Sequence, residues 1–531
     1  MKKSILVLVV FCISISLNST LGNNNHLIRK SGGRQMDNEK TKIYTVFMTD
    51  GSYLGGGEEL LEAESFITNK DLLNKLRSKC IEIEFIVRDL THSDISAEQI
   101  YNELENLKKE IDGILIIGDL HGEYRLAFTG LPTIFVYNLF DSLHTPYKLF
   151  ATGEEEKSIY EGNPEYKNGK ILTAQLDRGN LTTSSEGMFE DLIYKIKLIR
   201  VTKKLKESRI LQLSPREYFS IDNYHGHDNQ KYWPEDHNKR FRQVLKETMG
   251  TEIISAEPEE FYSAYSKTDE KKAEDTAEKW MEEAQGVLAS KSEIIKTARA
   301  YFAFDALIEK YNCNALSTVM RSVSESEKLE DRMWPGLGIE CGFKTRGIQA
   351  MCQDHMNVMV TELIGYFMTG KPSMLGDLMI DRYNSLAIVT HCGAPINPWG
   401  DERRVPYIIK SHAQSPVRDT KKPGSSTGMQ VDWPAGETAT YWVVDVLYKQ
   451  ILVFTGKLID NQAYYQHLDD VACRTKLIAK VENIKALQNH QSPDEYGIHR
   501  AVTLGDLRQE IKDIATLLGY DVIETDKALK K

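Results

Sequence analysis

The sequence predicts an α/β protein in which two Rossmann-like domains with parallel sheets precede a β-rich, barrel-like C-terminal domain. Two observations lead to this fold class. In the first part of the chain, continuous apolar runs such as Gly113–Gly118 alternate with amphipathic segments such as Ala97–Lys109. That alternation is typical of a parallel sheet covered by helices on both faces. After about Lys328, short apolar runs follow one another with turn residues between them, which indicates a barrel or a sandwich.

The first domain is predicted at 42–205 and the central domain at 206–345. The apolar runs predict strands at 43–48, 81–87, 113–118, 132–137, 171–175, 209–213 and 314–320. The amphipathic and charged segments between them predict helices at 69–78, 97–109, 189–208, 241–249, 268–289 and 292–310.

The C-terminal domain is predicted at 346–531. Its short apolar runs predict strands at 386–390, 406–410, 438–444, 451–456, 476–481 and 521–523. The apolar spacing predicts a helix at 356–368 and a closing helix at 504–518.

The first 22 residues are typical of a secretory signal peptide. Lys2 and Lys3 form a positive segment, and an apolar run from Ile5 to Leu17 follows it. A membrane anchor is the alternative, but this run is shorter than the ~20 residues that span a bilayer. We therefore expect a secreted or periplasmic protein with a flexible lead-in at 23–41 and no membrane association after cleavage.

Charge and composition exclude some classes of binding partner and cofactor. The chain has 531 residues and a formal net charge of −11, so it is expected to repel nucleic acid. Glycines at 55–57 follow the first strand, but their spacing lacks the dinucleotide fingerprint, and no nucleotide cofactor is expected. The cysteines are scattered and form no C-x-x-C pair, which favours buried thiols over a disulfide framework.

Polar clusters follow apolar segments at three places in the C-terminal half. These clusters are Cys352-Gln353-Asp354-His355, the segment Thr369–Asp377, and His391-Cys392-Gly393-Ala394-Pro395. Together with Trp334–Gly338 and His499, their order resembles the C-terminal half of the L-fucose/L-arabinose isomerase superfamily. The resemblance covers about 330–531, and the earlier part of the chain shares only a general α/β pattern.

The resemblance implies individual metal ligands and catalytic residues. Asp377 and His499 match metal ligands of the family, and Gln353 stands where the family carries a glutamate. A divalent Mn or Mg ion is therefore implied, but the neutral amide should weaken its binding. Asp354, His355 and Asp377 are the candidate catalytic residues, although Asp354 has an alternative role as a helix N-cap. Family members are oligomers, so a homo-oligomer is implied as well.

Three further residues are candidates for binding a small-molecule sugar. His391 ends an apolar strand, His412 follows another, and Trp399 offers a ring that can stack on a sugar face. Core packing is the alternative for the tryptophan.

The sequence thus predicts a sugar isomerase-like protein that acts on or binds a monosaccharide. Aldose–ketose isomerisation needs a group that moves a proton and a positive charge that stabilises the developing oxyanion. Because Gln353 removes one carboxylate, a catalytically inactive carbohydrate-binding protein with the same fold is the first alternative. A hydrolase or lyase built on this frame is the second.

Overall fold

The computed structural model describes the greater part of the chain in twelve stretches. They are residues 39–48, 67–91, 96–118, 126, 129–138, 170–176, 183–213, 236–318, 335–412, 426–460, 473–490 and 497–528. The predicted signal peptide, nearly all of the lead-in and the glycine-rich loop at 50–57 lie outside these stretches. Within them, none of the helices has both the length and the apolar character that crossing a bilayer requires.

The N-terminal region forms a five-stranded parallel sheet. Its strands are β1 (Thr41–Phe47), β2 (Ile83–Asp89), β3 (Gly113–Ile117), β4 (Thr133–Asn138) and β5 (Ile171–Leu176). They lie in the order β2–β1–β3–β4–β5, and each matches its predicted strand to within two residues. The associated helices are α1 (Asn69–Lys79), α2 (Ala97–Leu107) and α3 (Thr183–Lys206). The predicted alternation of apolar strands and helices is therefore confirmed.

A second parallel sheet follows in the central region. Its strands are β6 (Arg209–Leu213), β7 (Glu252–Ala256), β9 (Ala315–Thr318) and β10 (Gln349–Met351), while β8 (Gly286–Val287) joins another sheet. The order is β10–β9–β6–β7. The helices here are α4 (His237–Met249), α5 (Pro258–Ser266), α6 (Glu270–Glu283) and α7 (Lys291–Lys310). Strand β10 lies just past the predicted domain boundary at 345.

The helix predicted at 268–289 is wrong at its C-terminal end. Helix α6 stops at Glu283, and Gly286–Val287 forms β8, which pairs in parallel with a strand at 407–411. The backbone N–H of Leu288 donates to Ile409 O at 2.7 Å. Glycine is a poor helix former, so strand pairing with a distant segment outweighs the charged helical pattern before it.

The C-terminal region forms a closed, six-stranded antiparallel barrel. Its strands are β11 (Met374–Asp381), β12 (Leu386–His391), β15 (Thr438–Asp445), β16 (Gln450–Leu458), β17 (Thr475–Lys480) and β18 (His499–Leu504). The order is β15–β18–β11–β12–β17–β16, and pairing of β15 with β16 closes the ring. Strand β19 (Asp521–Glu524) adds to β16 in parallel. A smaller sheet beside the barrel joins β8 to β13 (Tyr407–Ser411) and β14 (Thr427–Val431).

The predicted closing helix begins too early. Residues 499–504 form β18, between β15 and β11, and all six side chains are buried. Gly505 then adopts a φ of 115°, which ends the strand, and helix α10 starts only at Arg508. The other helices of this region are α8 (Met356–Thr369) and α9 (Ile484–His490).

A short helical segment lies against α7 where the central region meets the barrel. Residues 338–343 form one turn of π-helix, and residues 344–346 continue as a 3₁₀ turn. A Cβ on Gly342 would lie 2.5 Å from Cε2 of Tyr301, so only glycine allows this approach. The segment buries Glu340 and Lys344 beneath the turn that follows β10.

Candidate functional site

The turn between β10 and α8 carries four polar or sulfur-bearing residues. Cys352 follows the last residue of β10, and His355 occupies the N-cap position of α8. The His355 side chain makes no capping hydrogen bond, so its ring is directed elsewhere. The carboxyl ends of parallel strands are where open α/β sheets bind ligands, and this turn lies at such an end.

Asp377 and His499 lie side by side on neighbouring strands of the barrel wall. They occupy opposite positions on β11 and β18, and Asp377 Oδ1 lies 2.7 Å from His499 Nε2. The His499 side chain is 8% exposed, whereas that of Asp377 is 29% exposed. The antiparallel register therefore brings the two predicted metal ligands into direct contact, and the Asp377 side chain is the more exposed of the two.

His355 connects this pair to Gln353. The rings of His355 and His499 are stacked, with centroids 3.6 Å apart, and His355 Nε2 lies 3.0 Å from Gln353 Oε1. Because an amide oxygen accepts, Nε2 is the donor in this contact. The structure thus gathers Gln353, His355, Asp377 and His499, which we call the oxygen–nitrogen cluster.

Asp354 lies outside the oxygen–nitrogen cluster. It is 2% exposed, and its carboxylate accepts from Gln212 Nε2 at 2.5 Å and from Ser317 Oγ at 2.6 Å. These bonds tie the turn after β10 to β6 and β9. The alternative role of Asp354 as an N-cap is wrong, since His355 occupies that position.

The neighbouring imidazoles set the charge state of Asp377. Burial acts to raise the pKa of this carboxyl, but the charge and hydrogen bond of His499 outweigh it. With smaller contributions from His391 and His355, they lower the pKa of Asp377 to about 2. Asp377 is therefore an anion at any physiological pH, as a ligand for a hard cation must be.

A second group of donors lies one strand away, at the end of β12. Thr390 is the register partner of Asp377, and the next two residues are His391 and Cys392. One ligand atom from each of Cys352, His391 and Cys392 can be chosen so that all lie within 4.8 Å of one another, and all three residues are buried. Cys352 Sγ lies 3.9 Å from both ring nitrogens of His391. We call these three residues the sulfur cluster.

Two further side chains adjoin the sulfur cluster. Cys392 Sγ lies 2.7 Å from Nε2 of His412, which follows β13 and is 2% exposed. Cys473, two residues before β17, interacts with Cys392, and this hydrogen bond lowers the pKa of the Cys473 thiol to about 7. The cluster therefore lies where the barrel, the central sheet and the three-stranded sheet meet.

The side chains of the sulfur cluster have pKa values that are shifted in different directions. The bond from Cys392 holds the pKa of Cys352 well below its usual range, against the effect of burial, and His391 adds to this lowering. The pKa of Cys392 is raised well above its usual range by its bonds with Cys352 and Cys473. Burial alone would lower the pKa of His391, but the Cys352 charge raises it to about 9. Cys352 and His391 thus each favour the charged form of the other.

A buried ionic group lies beneath the sulfur cluster. Lys344 Nζ lies 3.2 Å from Glu362 Oε1, 3.5 Å from Glu340 and 2.6 Å from Ser373 O. Burial raises the pKa of Glu340 and of Glu362 to about 7, although Lys344 opposes the rise. The two carboxylates outweigh burial at the lysine and raise its pKa. Lys344 therefore stays charged with carboxylates on two sides.

Of the three residues predicted to contact sugar, two histidines are buried and the tryptophan is half-buried. His391 and His412 are buried and lie against cysteine sulfurs. Burial, with the charges of His391 and Arg474, lowers the pKa of His412 to about 3. Trp399 is half-buried, packs at the edge of a hydrophobic core and carries the Arg403 guanidinium 4.6 Å from its ring. A sugar contact by any of the three stays a prediction.

Sequence reasoning missed the sulfur cluster. Cys352 and Cys392 lie within two of the polar segments that define the site, and the scattered cysteines predict buried thiols, as the structure shows for both, but not a cluster. The available signal was that Cys392 directly follows His391 and that Cys352 lies two residues before Asp354, each at the end of a strand. Lys344 and Glu362 carried no such signal, because a buried ion pair between helical segments has no sequence motif.

Comparison of the chain with models of known protein families and with curated proteins found no match to either.

Proposed function

We propose that the protein is a monosaccharide isomerase-like protein whose site is the oxygen–nitrogen cluster. The observation that carries this proposal is the contact between Asp377 Oδ1 and His499 Nε2, 2.7 Å apart, with His355 stacked on His499. Residues from three separate segments of the chain meet there at the barrel wall. The pair is partly open to solvent, as a site for a small polar substrate requires.

The residues fit a divalent cation of the Mn or Mg type. Ligands about 2.1 Å from an octahedral ion lie about 3 Å from their neighbours, close to the Asp377–His499 separation. Gln353 Oε1 keeps a second lone pair beside its hydrogen bond from His355, and it would offer this lone pair to the cation as a neutral ligand. When bound, such a cation would supply the positive charge that stabilises an enediolate oxygen.

The chain's own groups supply the remaining chemistry. His355 donates from Nε2 to Gln353, so in that tautomer Nδ1 carries the lone pair that can accept a proton. Asp377 stays ionised and holds His499 in place. Of the two candidate proton carriers, His355 is favoured over Asp354, whose carboxylate is engaged by Gln212 and Ser317.

A non-catalytic carbohydrate-binding protein is the second candidate. The observation that favours it is that Gln353 Oε1 accepts from His355 Nε2, a hydrogen bond that competes with donation of the oxygen to a cation. A site with one carboxylate would bind a hard cation weakly and could still hold sugar hydroxyls. The Rossmann-like arrangement of the two parallel sheets and export from the cytoplasm stay expectations from the sequence patterns, and a homo-oligomer stays an expectation from the resemblance.

The test is turnover of a panel of aldoses by the purified chain. L-Fucose, L-arabinose and related sugars are incubated with Mn²⁺ or with a chelator, and the ketose product is measured. Isomerisation should require Mn²⁺ and should fall by at least about 100-fold in Asp377→Asn, since the anionic ligand is lost. Asp521→Asn, an exposed change on β19, is the matched control.

Two results would decide against catalysis. Absence of turnover for every aldose in the presence of Mn²⁺ would overturn the isomerase proposal. Sugar binding that is measurable under the same conditions and unaffected by the chelator would establish the binding protein in its place.

A further inference from the structure

We propose that Cys352, His391 and Cys392 bind a single zinc ion, at a site separate from the oxygen–nitrogen cluster. The three donors come from the turn after β10 and from the end of β12, so the fold brings them together across two parts of the molecule. One donor atom from each lies within 4.8 Å of the other two, and the three residues are between 3% and 6% exposed.

The spacing suits a tetrahedral ion. Zinc binds cysteine sulfur at about 2.3 Å and histidine nitrogen at about 2.0–2.1 Å, which places two such ligands about 3.5 Å apart. Cys352 Sγ lies 3.9 Å from Nδ1 and from Nε2 of His391, so either ring nitrogen can serve after a small rotation. Two cysteines and one histidine are a ligand set that zinc uses with a fourth position left for another group.

A small cavity adjoins the three donors. It has a volume of about 10 Å³, room for about one water-sized sphere, and its polar lining consists of Cys352, His391, Cys392, Glu340 and Lys344. The Lys344 ammonium is held by Glu340 and Glu362, which offset its charge on the cavity. Within the described part of the chain, Glu340 Oε2 is buried and accepts no hydrogen bond, although it lies 3.5 Å from Lys344 Nζ. Glu340 therefore combines a buried oxygen that makes no hydrogen bond with a place in the lining of a one-atom cavity, and it marks the side from which the fourth position would be completed.

Charge and donor softness select zinc over the hard cations. Thiolates prefer soft or borderline ions, whereas Mn²⁺ and Mg²⁺ prefer oxygen. Two thiolates neutralise a divalent ion, so the buried site gains no net charge when it is filled. His412 Nε2, 2.7 Å from Cys392 Sγ, is positioned to donate a hydrogen bond to that thiolate and to orient it.

This inference does not depend on the proposed isomerase function. No residue of the sulfur cluster belongs to the oxygen–nitrogen cluster, and the two donor sets differ in softness and in exposure. Failure of one proposal therefore leaves the other intact, and the two can be tested in the same protein preparation.

The test measures metal in the full-length protein purified under reducing conditions. After incubation with Zn²⁺ and gel filtration, one zinc per chain should remain. Replacement of Zn²⁺ by Co²⁺ should give the thiolate-to-cobalt charge-transfer band and the strong visible bands of a tetrahedral site. Zinc affinity should fall at least about 100-fold in Cys352→Ser and in Cys392→Ser, because each removes a thiolate ligand. His391→Asn should lower it in the same way.

Two controls show that the loss is local. Cys313→Ser removes a buried thiol that lies before β9, away from the sulfur cluster, and should leave zinc content unchanged. Asp377→Asn should also keep its zinc, which separates this site from the oxygen–nitrogen cluster. Circular dichroism and the denaturation midpoint identify variants that fail to fold, and for those the cobalt spectrum of the unaltered protein still tests the ligand set.

Three outcomes would overturn the proposal. One is a reduced protein that takes up no Zn²⁺. Another is zinc content that is unchanged in Cys352→Ser. The third is a cobalt complex without the thiolate charge-transfer band. A Cys352–Cys392 disulfide in the isolated protein, with no zinc uptake after its reduction, would assign the pair to redox chemistry instead.

Discussion

The two donor clusters lie on neighbouring strands of one barrel and differ in nearly every physical respect. The oxygen–nitrogen cluster is anchored by Asp377, which is partly exposed, and its donors are an amide, a carboxylate and imidazoles. The sulfur cluster is buried, and a second buried ionic group lies beneath it. One register step, from Thr390 opposite Asp377 to His391, separates them. Of the two clusters, the more exposed one thus carries the hard donors and the buried one carries the soft sulfur donors.

This difference predicts where substitutions cost stability and where they cost function. A charge removed from the buried side leaves its partners without compensation in a low-dielectric environment. The same change on the exposed side is offset by water.

Lys344→Met tests the buried side and should have the largest effect. The change leaves Glu340 and Glu362 buried without their cation, so we expect a loss of about 3–5 kcal/mol in the free energy of unfolding. Denaturant titration at pH 7.5 measures it, and Lys480→Met, on an exposed barrel position, is the control. Adding Glu362→Gln to Lys344→Met should restore part of the loss. Equal stabilities of the wild type and Lys344→Met would contradict the buried ion group.

Glu362→Gln tests the buried ionic group of Lys344, Glu340 and Glu362 through the pH dependence of the free energy of unfolding. The pKa of Glu362 is raised to about 7 in the fold, above its value of about 4.3 in an unfolded chain. Its contribution to stability is therefore complete below about pH 4.3 and is lost as the pH rises through 7. Relative to Glu362→Gln, the wild type should lose up to about 3 kcal/mol between pH 4.5 and 8.

The readout for this prediction is denaturant unfolding of both proteins across that pH range. The exposed change Glu482→Gln should show no such divergence from the wild type. A difference between wild type and Glu362→Gln that grew in the opposite direction would mean that the carboxyl is ionised at all these pH values.

Asp354→Asn separates a structural carboxylate from the catalytic candidates. Loss of the charged acceptor for Gln212 and Ser317 should reduce stability by about 1.5–3 kcal/mol and leave Mn²⁺ binding unchanged. His355→Asn should do the reverse, lowering turnover with a smaller effect on stability. Turnover abolished by Asp354→Asn at unchanged stability would restore Asp354 as the proton carrier.

Gln353→Glu tests Mn²⁺ binding by the oxygen–nitrogen cluster and should have the smallest effect. A second carboxylate beside Asp377 should tighten Mn²⁺ binding about tenfold, which corresponds to about 1.4 kcal/mol. Calorimetric titration measures the affinity, and Gln285→Glu adds the same charge at an exposed, distant position. Unchanged affinity would show that Gln353 does not share an ion with Asp377 and His499.

Sequence patterns located the five strands of the N-terminal sheet well because these strands are apolar runs, whereas β7, β10, β11 and β14 of the other sheets were not predicted. Strand β3 and its neighbours needed no knowledge of partners, since local hydrophobicity and glycine or proline boundaries define them. Strand β8 and strand β18 were missed for the opposite reason. Each pairs with strands that are distant along the chain, and its own short sequence carries no continuous apolar run.

The site residues also fall into those that the sequence predicted and those that depend on distant packing. Asp377 and His499 could be predicted through a resemblance of motifs, and the structure places them together. Asp354 and His355 are adjacent in sequence, yet one is directed into the central sheet and the other toward the barrel. Which of two neighbours faces the site depends on backbone direction in a turn, and residue type alone does not specify it. The sulfur cluster required the packing of three separate sheets and carried no spacing signal.

The closed barrel also constrains how the protein folds. Asp377 meets His499 only after β18, the last barrel strand along the chain, has inserted between β11 and β15. Contacts between segments so distant in sequence carry a high loop-closure entropy and form slowly. The rate at which a refolding chain acquires the ability to bind Mn²⁺ should therefore follow barrel closure, and collapse of the N-terminal sheet should precede it.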